Sequence, residues 1–386
     1  MTSRERMIAA LKKETPDHIP CCFMIFSALW ERCADYHQFI EKQLEMGLDA
    51  RVELPELPIH PRPEVQIKTW KENIPGKPFP LLHKAYITPA GTLKAEVWQT
   101  PDWIHGDDVP LFDDYLIPRS KKFLVEEERD VQALRYLFAE PTDEEIRLFR
   151  EQAQTLKKLA SDRDLLVSGG WEPYSGDGGC MGVDGLMWLC GIEGAILMAV
   201  DKPHLFEEMV EIVHRWNVRR MEVVLDVGVD LIVRRGWYEG TDLWSPKLFE
   251  RFVLPTLKKE AELAHQAGAF FGYIITSGFM PLLDMIIEAG VDAIIGVDPV
   301  QGKGVELKPL KEKARGKLCL WGGVNGFVTM EMGSPEEVAQ ETRRAIETLG
   351  PDGFILSPVD NVRDPSERTW KNVMRMIKTW REMCRR

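Results

Sequence analysis

The sequence is poor in the features that mark several large protein classes. No apolar run approaches the roughly 20 residues that a helix needs to cross a bilayer. Met1-Thr-Ser-Arg-Glu-Arg6 leads straight into a charged amphipathic stretch with no apolar signal core, so an export signal is not expected. The seven cysteines, Cys21, Cys22, Cys33, Cys180, Cys190, Cys319 and Cys384, are odd in number and include no Cys-x-x-Cys pair. That pattern suggests neither a disulfide framework nor a zinc ribbon, and the expected compartment is the reducing cytoplasm. Basic residues are also short: 49 Lys and Arg against 61 Asp and Glu leave a net charge of −12, which speaks against nucleic acid as a partner. None of the eight histidines stands in a His-x-His, His-Glu-x-x-His or Ser-His-Asp pattern, and His214 and His265 read as helix-surface residues. There is no internal repeat and no low-complexity linker.

What is present is a rhythm. From about Arg163 onward, short β-branched apolar runs alternate with amphipathic helical stretches, the pattern of βα units around a parallel sheet. The predicted strands are Leu165–Ser168, Leu231–Arg234, Phe270–Ile275, Ala293–Val297, Leu318–Trp321 and Phe354–Leu356. Each is continuous and apolar, as strands buried on both faces should be. Helix starts are written at Thr142-Asp-Glu-Glu145, Ser245-Pro246 and Ser334-Pro-Glu-Glu337, and helix stops at Gly268, Gly290 and Gly350. Pro255 should kink or split the helix begun at Ser245. The helix expected over Pro203–Asp226 keeps Leu205, Phe206, Met209, Ile212, Val213 and Trp216 on one stripe. Upstream, a helix at Ser3–Lys13 precedes strands at Ile19–Met24 and Asp49–Leu54, making eight strands. The expected fold is α/β, a (β/α)8 TIM barrel forming a single domain over residues 1–386. Val65–Thr69, Lys84–Thr88 and Thr92–Gln99 alternate around Pro89-Ala-Gly91 and read as a β-hairpin or small sheet. It sits within an insertion, residues 55–117, read as a lid or decoration.

In such barrels the chemistry sits where strands end at their C-terminal side. Those ends offer Phe26, Ser27 and Trp30, then Glu53 and Glu56, then Trp171, Glu172, Tyr174 and Asp177 in a glycine-rich loop that also holds Cys180. Arg234 and Arg235 come next, with Trp237, Tyr238, Glu239 and Asp242; then Tyr273, Thr276 and Ser277; then Asp298, Asn325, Asp360 and Asn361. The two arginines could equally pair with neighbouring carboxylates at the rim, Asp298 could cap its own loop, and Trp171, Trp237 and Trp244 could be packing. The glycines at 169–170 and 176–179 match no phosphate-loop spacing. A mouth rich in aromatics and carboxylates suits a flat organic ligand, with Tyr, Asp and Glu available for acid–base roles.

Several stretches together resemble the uroporphyrinogen decarboxylase superfamily. They are Ser3-Arg-Glu-Arg-Met-Ile-Ala-Ala-Leu11 with Pro16-Asp-His-Ile-Pro20, Tyr86-Ile-Thr-Pro-Ala-Gly91, and the segment from Asp242 to Pro255. Trp321-Gly-Gly-Val-Asn325 and Phe354-Ile-Leu-Ser-Pro358 complete the set. The resemblance implies the barrel independently of the strand count. It covers both the haem-pathway decarboxylase and the cobalamin-dependent methyltransferases. Decarboxylases follow the first strand with an Arg-Gln-Ala-Gly-Arg stretch that meets the substrate's carboxylates. Here that stretch is Phe23-Met-Ile-Phe-Ser-Ala-Leu-Trp30, with only Arg32 nearby, and it cannot easily hold a polycarboxylate. The thiol-methylating branch binds zinc through His-x-Cys and a late cysteine; this chain has Tyr273-Ile274-Ile275 and Ser357-Pro-Val-Asp360 there instead.

The branch left is the one that moves a methyl group from a small donor to a corrinoid carried on a partner protein, with methoxylated aromatics as typical donors. On this resemblance Tyr273, Asp298 and Asp360 are the candidate catalytic residues. Phe26, Trp30, Trp171, Glu172, Arg234, Trp237, Tyr238, Ser277, Asn325 and Asn361 are the candidate substrate-binding ones. Zinc stays open although its usual ligands are absent; carboxylates with Cys319 or a histidine are the other metal option, and a homodimer is not excluded. Two alternatives remain: a decarboxylase or lyase on a small carboxylate or tetrapyrrole, clamped by Arg234 and Arg235, and a corrinoid- or tetrapyrrole-binding module without chemistry.

Overall fold

The computed structural model describes residues 1–174 and 179–384, so Asp177 lies outside the described residues. β1 (Arg51–Glu53) belongs to a parallel sheet, while β2 (Gln66–Glu72), β3 (Leu81–Thr88), β4 (Gly91–Trp98) and β5 (Ser120–Lys122) form an antiparallel one. β6 (Leu166–Gly169), β7 (Cys180–Met181), β8 (Leu231–Arg235), β9 (Phe270–Ile274), β10 (Ala293–Val297), β11 (Cys319–Asn325) and β12 (Phe354–Val359) return to the parallel sheet. Seven strands run side by side in the order β1-β6-β8-β9-β10-β11-β12. β7 lies on β8 just beyond the point where β6 leaves it: Gly169 pairs with Ile232, then Cys180 with Arg234. Every residue of β8, β10, β11 and β12 is buried, which explains the apolar run that opens each of them.

The helices form where their ends are written. Thr142 and Ser334 close capping boxes with Glu145 and Glu337, and Ser245 accepts a bond from the Leu248 N–H. The helix expected over Pro203–Asp226 has those bounds. Pro255 splits its helix: Pro246–Phe252 ends, and Leu254–Gln266 starts with Pro255 in its first turn, where no N–H is needed. No single helix among the described residues is long and apolar enough to cross a membrane.

The curled sheet is not a complete eight-stranded ladder. The segment expected as the first strand, Ile19–Met24, lies between β12 and β1 but forms only single bridges, Cys21 to Leu356 and Ile25 to Asn361. Side chains replace the missing strand partners. The N–H groups of Cys21, Met24, Phe26 and Ser27 donate to Asp49 Oδ2, Ser357 Oγ, Tyr174 Oη and Asn361 Oδ1. Pro20 has no N–H to give. The antiparallel sheet is larger than a hairpin, and its fourth strand, β5, lies beyond residue 117. Leu82, Tyr86, Leu93 and Val97 of this sheet pack into the same core as Phe112, Phe138 and Trp216.

Asp49 holds the irregular segment in register, since its own N–H donates to Cys21 O while its carboxylate accepts from Cys21 N–H and from Arg6 Nη1 at 2.6 Å. Replacing Asp49 by alanine leaves two donors without their partner in a buried place. The expected loss, read by urea unfolding, is about 2–3 kcal/mol; a loss below half a kilocalorie would show that the segment is held by packing alone.

Candidate active site

The C-terminal ends of β6, β8 and β12 open onto a cavity of about 630 Å³. Its walls include Trp171, Glu172, Trp188, Arg235, Trp237, Tyr238, Asp360 and Asn361, and the turn at 112–115 covers one side. Trp171 and Trp237 meet edge to face, with ring centroids 5.4 Å apart. The Arg235 guanidinium lies 4.1 Å over the Trp188 ring and 4.8 Å over the Trp237 ring. From behind, Arg235 Nη1 donates to the fully buried Asp184 at 2.9 Å, and Asp184 also accepts from the Tyr238 N–H. Asp114 completes this wall: its Oδ1 accepts from Trp188 Nε1 at 3.0 Å and Tyr238 Oη at 2.7 Å, with Arg235 Nη2 at 3.5 Å.

Asp360 follows β12 with φ +65, a left-handed conformation that a non-glycine residue holds only against strain. Burial raises its pKa, Arg363 opposes the rise from 3.4 Å, and the charges of Asp114 and Arg235 are both felt there. Asn361 accepts from the Ser27 N–H and donates to the Ser27 hydroxyl, tying β12 to the irregular first segment.

Arg234 and Tyr273 do not reach the cavity. Both are wholly buried beneath it, where Arg234 bonds Glu239 at 3.0 Å and faces Glu260 at 2.9 Å, and the Tyr273 hydroxyl donates to Glu239 at 2.6 Å. His214, expected on a helix surface, is buried in the same network with Nδ1 3.0 Å from Glu260. Two glycines make room for the network. A Cβ on Gly182 would sit 1.6 Å from Arg234 Nη2, and one on Gly236 would sit 2.4 Å from the Tyr273 ring. His265 does lie at a helix surface, bonded to Asp292.

Asp298 also turns away from the cavity. It accepts from Asn325 Nδ2 and from the N–H groups of Val300 and Gln301, so it caps its own loop, while Asn325 caps the turn that follows β11. Ser277 accepts from the Lys303 N–H. Phe26 is buried, and Trp30 stacks on Tyr174 at 4.8 Å; neither lines the cavity. Cys319 opens β11 at the end of the strand away from the cavity, buried with its pKa pushed up to about 12. Among the described residues no three His, Cys, Asp or Glu side chains are grouped as a metal ion requires.

The uroporphyrinogen decarboxylase (URO-D) family model matches residues 186–383, just over half of the chain. The chain belongs to the uroporphyrinogen decarboxylase family. A solved methyltransferase from Methanosarcina mazei is similar over 99% of both chains, with a TM-score of 0.60 and 19% identity, a likeness of fold. A B12-independent methionine synthase from a Shewanella species is similar over 61% of this chain and 66% of its own, at a TM-score of 0.42 and 12% identity. No curated protein matches the sequence.

Within this uroporphyrinogen decarboxylase fold, sequence reasoning missed the turn Leu111-Phe-Asp-Asp-Tyr115, Trp188 and Asp184. Two adjacent carboxylates flanked by aromatics at the end of the insertion were the available signal for the turn. Glu53, Glu56 and Glu239, noted only as strand-end residues, are shielded acids, Glu53 and Glu239 buried and Glu56 half-buried. Burial pushes each up to about 7, against the opposing pull of Arg51, Arg220 and Arg234 respectively. Because their folded pKa lies above the unfolded value, the native state binds the extra protons between about pH 4.5 and 7. Stability is therefore greatest near the low end and falls as pH rises through 7. His18, whose pKa burial lowers, acts in the opposite sense with a single proton. The unfolding free energy, read from urea midpoints, should drop between pH 5 and 7.5 by an amount on the order of a few kcal/mol. A midpoint rising over that interval would contradict the protonated reading.

Proposed function

We propose that this protein is a methyltransferase that takes a methyl group from a small methoxylated aromatic and passes it to a corrinoid carried on a partner protein in the cytoplasm. The observation that carries the reading is the cavity itself, which opens at the C-terminal ends of three strands and is lined by three indole rings, two phenols and the strained Asp360 carboxylate. A planar ring of donor size fits such walls, and offset or edge-to-face packing on Trp171 and Trp237 would hold it in one plane. Its family membership and its likeness to a methyltransferase fold support the transfer class.

The site's chemistry follows from what breaking an aryl methyl ether demands. The bonding electrons stay on the ether oxygen, which must receive a proton or be stabilised by fixed donors. Asp360 is the group assigned to that proton, because it stands in the cavity wall and its surroundings raise its carboxyl pKa. A reduced corrinoid would supply the nucleophile that takes the methyl carbon. The protein offers a surface suited to a large planar partner group: Ile104 at the cavity, Val300 after β10, and Phe327, Val328 and Met332 after β11 are all exposed apolar side chains on the face where strands end. The decarboxylase alternative keeps only half of its clamp, since Arg234 is spent on Glu239 and Glu260 and Arg235 alone faces the cavity.

Purified protein mixed with a reduced corrinoid protein and a panel of methoxylated aromatics should change the corrinoid's visible spectrum as the methyl group arrives. Asp360→Asn should slow that change by about a hundredfold, and Trp237→Ala should raise KM more than it lowers kcat. Silence across the whole panel with an intact partner would overturn the reading, and an unaltered rate for Asp360→Asn would remove Asp360 from the chemistry.

A further inference from the structure

The cavity wall contains a seat for an anion that the protein fills with its own carboxylate. Trp188 Nε1, Tyr238 Oη and Arg235 Nη2 converge on a single oxygen, Asp114 Oδ1, at 3.0, 2.7 and 3.5 Å. Two of the three donors belong to the rigid frame, and the third, Tyr238, stands on the turn after β8 with its N–H held by Asp184. Trp188 sits on the buried helix Val183–Cys190, and Arg235 ends β8, fixed by Asp184 from behind and by rings on either side. Both residues are nearly buried, at 5% and 7% exposure. The acceptor is different in kind: it comes from a turn with neither helix nor strand, and its side chain is 61% exposed.

The fit of that carboxylate is poor where it should be best. Guanidinium–carboxylate bonds close to about 2.7–2.9 Å when geometry allows, yet the Arg235–Asp114 contact is 3.5 Å. An exposed occupant held by two neutral donors, with its contact to the guanidinium left long, describes a ligand site in its resting state. We propose that Arg235, Trp188 and Tyr238 bind a carboxylate on the donor's aromatic ring, and that Asp114 occupies this seat until the donor displaces it. Exchanging one carboxylate for another leaves the local charge unchanged, so Arg235 and Asp184 keep their balance. The buried donors are never left without an acceptor, which is the costly state for such groups. The donor class becomes a methoxylated aromatic acid. The identity of the ring rests on the proposed methyl transfer, while the carboxylate seat does not.

The test measures binding by calorimetry to the full-length protein, with 3-methoxybenzoate, benzoate, methoxybenzene and 3-methoxybenzylamine as probes. Asp114→Ala vacates the seat from an exposed position and should tighten both benzoates by about tenfold, leaving methoxybenzene unchanged; that factor corresponds to about 1.4 kcal/mol. Tyr238→Phe, which removes one hydroxyl, should weaken the benzoates about fivefold and methoxybenzene not at all. Benzoate affinity that is unchanged or weaker in Asp114→Ala overturns the proposal, as does the absence of benzoate binding to both proteins. Tighter benzoate binding without methyl transfer from 3-methoxybenzoate upholds the seat and removes the methyltransferase reading. Methyl transfer from methoxybenzene or the amine, with benzoates indifferent to Asp114, does the reverse.

Discussion

The structure around the cavity depends on one buried guanidinium. Arg234 has no exposed surface, and burying an unpaired charge costs far more than a domain's net stability. Everything near it is arranged so that the charge is never alone. Glu239 returns from the loop after β8, Glu260 comes from the helix after the Pro255 break, and the Tyr273 hydroxyl on β9 binds the second oxygen of Glu239. This network pins the start of the β8 loop to its neighbours, and that loop carries Trp237 and Tyr238. Two glycines, at 182 and 236, give the guanidinium and the phenol ring the room they need. The aromatic wall above is thus fixed by electrostatics below, and one guanidinium facing two carboxylates explains why burial can hold Glu239 near neutrality.

The strands of the second half were legible because buried parallel strands are written as short apolar runs, and Ala293–Val297 and the start of β8 stand where the pattern put them. β11 runs four residues past its expected end at Trp321, to Asn325. Gly322 and Gly323 pair in register with Leu356 and Ser357 and adopt φ of +143 and +99. Glycine there lets the strand pass close to Val297 and to Ala345 and Phe354, where a Cβ would clash. The first strand was misjudged for the opposite reason. Its apolar pattern is real, but the Cys21 and Met24 N–H groups are met by side chains far away in sequence, and no local pattern reports that.

The candidate site was legible only where exposure could be guessed from a strand's end. Trp171, Trp237, Tyr238, Asp360 and Asn361 line the cavity because they follow β6, β8 and β12 directly. Tyr273 was placed there by the same rule and is not there, because it is still within β9 and its ring points to Arg234. Asp298 illustrates the competing role of short acidic side chains, which bind backbone N–H groups of their own loop and so are spent locally. The turn carrying Asp114 could not be assigned by strand logic at all, since it reaches the cavity from outside the βα repeat.

Arg234 and Arg235 show how little separates structure from function in such a fold. Neighbours on a strand point to opposite sides, so two identical side chains one residue apart meet different surroundings. One is enclosed by Glu239 and Glu260 with no exposed surface; the other is stacked between rings, balanced by Asp184 and turned to the cavity. A one-residue slip of β8 would exchange them, sending the enclosed charge into the cavity and the open one into the acids beneath. The pairing of Arg234 with Tyr273 and of Arg235 with Ile274 across β9 resists that slip. The register that satisfies the buried charge is therefore the same register that presents a positively charged, aromatic-framed edge to a ligand, and neither could be altered without losing the other.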